Sequence, residues 1–320
     1  MKKENLKEST MKPFEDGDIF LGCTYLNDEV DDHKGDGRIL QYTKNLEPKG
    51  VLWTEGTEHL VIGLTIDPDG VLWGFDMHNH VVVRVSPDGQ QMPNHDFGDR
   101  AFSNATFDKE GNIYLGECLV GNTPYPGSFM KRLPGLDLVG YANIHKFNAE
   151  LELVDIFDVA YSPEFHQFKG VTHTTMHPSE QYITYTTEIG KKVMRYDIVN
   201  REQMDDLVVL PGDLTDQVVA IAVNYLKDGR LLHSRGDYIE ILDEEGTVIQ
   251  TIDLKEHGWG IAQVTPSSDG VHFFTANIFS GIMLKVRLDN GEVVGSIDTG
   301  FAAPKRSFAG IAESSIRQDN

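Results

Sequence analysis

The chain is poor in three things, and each shortage excludes a class of protein. Among its 320 residues there are only two cysteines, Cys23 and Cys118, too few for a disulfide framework or a thiolate metal site. Basic residues are scarce: 28 Lys and Arg stand against 50 Asp and Glu, a net charge of −22, which repels phosphate backbones and anionic membranes. Neither nucleic acid nor a membrane is therefore an expected partner. No apolar run approaches the length of a transmembrane helix, and the charged stretch from Met1 to Thr10 lacks the apolar centre of a signal peptide, so a cytoplasmic location is expected.

Helical periodicity is also missing, and what stands in its place is a repeat. Gly63 to Trp73, Asn104 to Tyr114, Val171 to Ile183, Ala220 to Leu232 and Gly260 to Phe273 each read as strand, tight turn, strand. The turns centre on Gly70, Gly111, Glu180, Gly229 and Gly270, where the chain needs a positive φ to reverse. Each unit continues into a second hairpin with alternating apolar residues, such as Val81 to Val85 before Asp88-Gly89 and Met283 to Arg287 before Asn290-Gly291. Four short antiparallel strands per unit is the pattern of a propeller blade.

The fold class is therefore all-β, a six-bladed β-propeller, with residues 1–17 as an N-terminal extension and 18–320 as one propeller domain. The remaining blade is split. Asp18 to Gly22, Gly37 to Tyr42 and Val51 to Trp53 supply three of its strands, and the C-terminal Phe308-Ala-Gly-Ile-Ala-Glu313 supplies the first, closing the ring against the N-terminal blade.

The first strand of a blade lines the central channel, so all the Asp-Gly turns fall on one face, which is expected to be structural. The long connections, Leu119 to Asn143 foremost, fall on the other, where a site is expected. Second strands should end there with Asp76, Glu117, Glu188, Asp237 and Asn277. Carboxylates converging from several blades suit a hard divalent cation, and the expected metal ligands are Asp76, Asn104, Glu117 and Glu188. Such residues equally serve as strand-end caps bonded to loop amides. His173, at the start of a channel-lining strand, is the expected proton-transfer group, with Glu117 and Glu188 as catalytic partners. His78, Arg100, His257, Trp259 and Asn277 complete the set as substrate-binding candidates.

The Asp-Pro-Asp-Gly-Val-Leu-Trp73 and Asp-Lys-Glu-Gly-Asn-Ile-Tyr114 elements resemble those of the NHL, SMP-30/gluconolactonase and virginiamycin B lyase propellers over most of the chain. The lactonase resemblance implies a Ca²⁺-type ion at the channel mouth. Asn104-Ala-Thr-Phe-Asp108 resembles one ligand motif of that family, whereas the family's Asn-Gly and Asp-Gly pairs are replaced around Thr172-His173 and Ala220-Ile221. The lyase resemblance implies a channel-mouth His and Glu with Mg²⁺, roles open to His173 or His257 with Glu117 or Glu188. The expected function is a metal-assisted hydrolase of lactonase type, or a lyase, acting on a small organic molecule with Ca²⁺ or Mg²⁺ as cofactor. Two alternatives stay open: a non-catalytic module that binds a protein or ligand, and a metal-free acid–base lyase or isomerase.

Overall fold

The computed structural model describes residues 7–31, 33–122, 130–162, 170–187, 190–213, 219–300 and 308–315. Among them the only helix is the single 3₁₀ turn Lys255–His257, and no helix is long and apolar enough to cross a membrane. Everything else regular is strand, in a propeller arrangement.

The turn chemistry explains why the repeat folds. Gly70, Gly111, Gly229 and Gly270 all have positive φ, and so does Glu180, which occupies the equivalent place without being glycine. The aspartate that opens the turn acts as its organiser. Asp67 Oδ1 accepts the backbone N–H groups of Asp69 and Val71, while its Oδ2 accepts the indole N–H of Trp73 at 2.8 Å. Asp108 repeats this with Glu110, Asn112 and the Tyr114 hydroxyl at 3.0 Å. The Asp-x-x-Gly-x-x-aromatic motif thus ties the reversal to the large aromatic of the next strand. Both aromatics are buried between neighbouring sheets, Trp73 beside Phe97 and Phe107, and Tyr114 beside Phe157. Aromatic burial of this kind supplies much of the packing energy.

Three four-stranded sheets each run outward from a channel-side strand: Phe102–Phe107, Val223–Tyr225 and Ile261–Pro266. A five-stranded sheet begins in the same way with His173–Met176. Beside these lies a seven-stranded sheet in the order Pro48–Trp53, Gly35–Tyr42, Ile19–Leu26, Phe308–Glu313, Ile62–Ile66, Leu72–Asp76, Val81–Val85. The C-terminal strand Phe308–Glu313 therefore pairs antiparallel with Ile19–Leu26, as the split blade requires, and touches the next unit through one parallel pair, Ala309 with Ile62. Its flanks are well packed, with Phe308 and Ile311 in one cluster with Ile19, Leu21 and Phe274.

The N-terminal segment is woven into this junction. Thr10 and Met11 donate backbone hydrogen bonds to Val51 O, and Phe14 donates to Pro87 O across the neighbouring unit. Met11 and Phe14 are buried in the core with Phe20 and Val83. Closely approaching backbone makes glycine necessary at Gly50, where a Cβ would lie 2.6 Å from Thr10 O.

The long connection between Leu119 and Asn143 contributes a two-stranded ribbon, Val120–Gly121 with Gly140–Tyr141. Met130 and Val139 pack against Met77, Ala101 and Cys118. Its described residues lie over the side of the units carrying Met77 and Cys118.

Truncation before Phe308 should abolish cooperative folding, because it bares an edge on Ile19–Leu26 and empties the pocket that Phe308 and Ile311 fill. Circular dichroism melts should show loss of the single sharp transition. A truncated chain that melts like the full one would refute the role given to this strand.

Candidate functional site

Among the described residues two cavities lie end to end along the channel. The larger, about 460 Å³, is lined by Thr65, Asn104, Thr174, Asn224 and Thr265 and opens among the turn residues Asp67, Asp228, Ser268 and Gly270. The smaller, about 70 Å³, sits at the loop-face end and is lined mainly by apolar residues. The wide basin therefore opens on the face expected to be purely structural. Short turns reverse the chain without covering the channel mouth, so tight turns leave that end open.

Gly63, His173 and Gln263 line both cavities. His173 Nε2 and the Gln263 side-chain nitrogen meet across the channel at 3.1 Å, from strands 90 positions apart in sequence. Desolvation lowers the His173 pKa from 6.5 to about 4, and the carbonyls of Ala262 and Ile221, which favour the charged form, only partly oppose it. The imidazole is accordingly neutral at pH 7. Its first-strand position set it facing the channel, as the repeat implied.

The expected metal ligands have other duties. Asp76, fully buried, takes the N–H groups of Glu58 and His59 on Oδ2 and those of His78 and Asn79 on Oδ1. Burial pushes its pKa up, against the pull of those hydrogen bonds and of His59. Asn104 donates to Ser103 Oγ and to the carbonyls of Val171 and Thr172, while its Oδ1 accepts the Thr174 hydroxyl. Glu117 Oε2 accepts Tyr141 N–H and Asn143 N–H, with His145 Nε2 at 3.9 Å, and Oε1 faces Arg100 Nη1 at 3.8 Å. Glu188 lies outside the described residues. Among the described residues no group of three His, Cys, Asp or Glu side chains is gathered so as to hold a metal ion. A divalent ion does not fit Asp76, Asn104 and Glu117 as they stand: no three such ligands are gathered among the described residues, the Asp76 and Asn104 oxygens are committed to loop amides and a neighbouring hydroxyl, and the one Glu117 oxygen without a hydrogen bond, Oε1, faces the Arg100 cation at 3.8 Å. These residues are caps that tie strand ends and adjoining sheets together.

The expected substrate-binding residues disperse. His78 is fully buried, its ring stacked on His59 at 4.6 Å and lying 5.4 Å from His33. Burial holds its pKa well below the usual imidazole value, and the nearby His33, His59 and His80 push the same way. Arg100 lies over the Tyr141 ring at 5.4 Å beside Glu117. Asn277 caps its strand, taking Phe279 N–H and Ser280 N–H and donating to the carbonyls of His257, Gly258 and Trp259. His257 neighbours Glu256 at 3.4 Å, and Trp259 stacks on Phe279 at 5.6 Å. None of these five lines either cavity. Of the described residues in the expected set, only His173 and Asn104 do.

Gln263 was the residue missed. Its signal was present in Gly260-Ile-Ala-Gln263, a polar side chain among the apolar residues that open a channel-lining strand.

Two outcomes follow. Replacing Asp76 by Ala orphans four N–H donors, of which those of His59 and His78 are buried, and should cost at least about 2 kcal/mol, measured by denaturant unfolding. Added Ca²⁺ should shift neither protein's melting temperature, and a Ca²⁺-dependent rise confined to the wild type would restore the metal reading. For pH, the folded chain holds His173 neutral down to about 4 while the unfolded chain binds that proton near 6.5. Between those values the unfolded state carries more protons, so stability falls as pH drops from about 6.5 and levels off below about 4. His173→Gln should reduce this slope in unfolding titrations, and an unchanged slope would contradict the desolvation assigned to the ring.

No family model matches the chain, and no curated protein does. Solved structures do match in fold. A chain in a nidogen/laminin complex aligns with a TM-score of 0.63 at 13% identity, covering 93% of this chain and 98% of that one. A gluconolactonase from Xanthomonas campestris gives 0.55 at 11% identity, covering 85% and 88%. A virginiamycin B lyase from Staphylococcus aureus gives 0.53 at 12% identity, covering 78% and 73%. The chain thus shares the propeller fold of the NHL, lactonase and lyase group that its turn motifs resemble.

Proposed function

We propose that the protein is a small-molecule enzyme of the metal-free acid–base type, a lyase or isomerase, whose substrate enters the channel from the turn face. The single observation that carries this reading is the His173–Gln263 contact at the junction of the two cavities. We further propose that the seven-stranded sheet is two blades meeting at the Ala309–Ile62 pair, which makes the ring six-bladed.

The chemistry follows from the state of the ring. A neutral imidazole can take a proton from a substrate C–H or O–H at Nε2, exchanging the Gln263 N–H that this nitrogen accepts at rest for the substrate's, and as imidazolium return it to a leaving or rearranged oxygen. Desolvation makes His173 a weak base in the empty channel. An anion developing on the substrate beside it favours the protonated ring, so the base strengthens as the reaction proceeds. The Gln263 amide orients the imidazole. The lyase and gluconolactonase among the structural neighbours support an enzymatic propeller as the general class.

A second reading, a non-catalytic module that holds a macromolecule, draws on the likeness to the nidogen/laminin complex. His173 separates the two. In a screen of small lactones, esters and β-elimination substrates, His173→Gln should lower kcat by at least about a hundredfold. Wild-type kcat/KM should stay level from neutral pH downward and fall as pH passes about 4, where the ring protonates. A variant that turns over an identified substrate at the wild-type rate would overturn the catalytic role.

A further inference from the structure

The smaller cavity differs from the basin in kind as well as size. Its walls are chiefly Leu60, Ile62, Met77, Ile278 and Phe308, and the one ionisable ring there besides His173, among the described residues, is that of the buried His33. The hydroxyls that reach it point away: Ser103 Oγ donates to the carbonyls of Val171 and Thr172, and Thr172 Oγ1 donates to Thr186 O. These residues therefore show mainly carbon to the space. Met77 Sδ and Cys118 Sγ lie 3.1 Å apart in its wall. No lysine, arginine, aspartate or glutamate lines it among the described residues. The basin, by contrast, is ringed by threonine, asparagine and glutamine side chains.

The two spaces meet where His173 faces Gln263, and Gly63, the third shared residue, adds no side chain to the junction. We infer that the small cavity is a specificity pocket for a short aliphatic substituent, so that the ligand is amphipathic. Its polar body rests in the basin, its reacting centre lies at His173, and an alkyl group of a few carbons fills the apolar end. This deepens the acid–base reading of the same channel and rests on it for the position of the reacting centre. The physics is that of area removed from water. Each methylene seated in an apolar pocket contributes about 0.8 kcal/mol, or roughly a fourfold gain in affinity, until the pocket is full. A longer chain then meets packed side chains and gains nothing more.

The test uses straight-chain primary amides from propanamide to octanamide, with dissociation constants from NMR titration of the full chain. Affinity should rise about fourfold per methylene and then reach a plateau within the series. Ala309→Leu, which narrows the pocket, should bring the plateau to a shorter amide, and Met77→Ala, which deepens it, should move the plateau to a longer one. A series that is flat in all three proteins, or that reaches the same plateau in all three, would overturn the pocket. His173→Gln keeps the two proposals distinct. If it abolishes turnover while the amide series is flat, the acid–base reading stands and the pocket falls. If turnover survives but the shifting plateau is seen, the pocket stands and the catalytic role falls.

Discussion

The molecule depends on one pairing, the antiparallel register of Phe308–Glu313 with Ile19–Leu26. A sheet made of successive hairpins leaves an edge at each end of the chain, and an open edge is both unstable and a template for aggregation. Placing the last strand inside the first sheet removes that edge. It also makes the channel possible. With the two termini joined, each first strand presents its side chains toward a common axis, and residues 90 positions apart, such as His173 and Gln263, come within hydrogen-bond distance. The N-terminal segment reinforces the same place, with Met11 and Phe14 buried beside Phe20.

How much of this was legible in the sequence depended on whether a residue's role was local. The turn at Glu180 could be read because the flanking strands fixed its place, even though glutamate lacks the conformational freedom of glycine at φ 58°. Asp67 and Asp108 organise these turns through partners within six residues, Trp73 and Tyr114, a role as local but not assigned from the sequence, where the turns are read from the residue of positive φ alone. The closing strand was legible by analogy, since Phe308-Ala-Gly-Ile resembles the start of another first strand.

The site was less legible because the same residue type serves two ends. Asp76 and Asn277 stand where metal ligands would stand, but that position is also where a strand leaves unpaired loop amides behind. Asp76 accepts four such N–H groups, and Asn277 manages two N–H groups and three carbonyls. Nothing in the sequence counts the amides a loop will bring to a side chain. Cavity placement was hidden for a similar reason: loop length is visible along the chain, whereas the width of the channel depends on how the first strands pack around it. Gln263 could be named as polar, but its facing partner could not.

The division of labour between rings and strands follows from desolvation. Charging an imidazole away from water costs stability, and desolvation accordingly disfavours the charged form both of His78, among other histidines, and of His173, between two cavities. Their environments then separate their uses. His78 is enclosed by His33, His59 and the loop held by Asp76, so its ring is sealed from any ligand. His173 borders open space on both sides. Of these two neutral rings only His173 can exchange a proton with a molecule in the channel, and the low dielectric that weakens it as a base at rest strengthens its attraction to an anion formed against it. The desolvation that costs stability in acid is therefore also what the chemistry proposed for this position draws on.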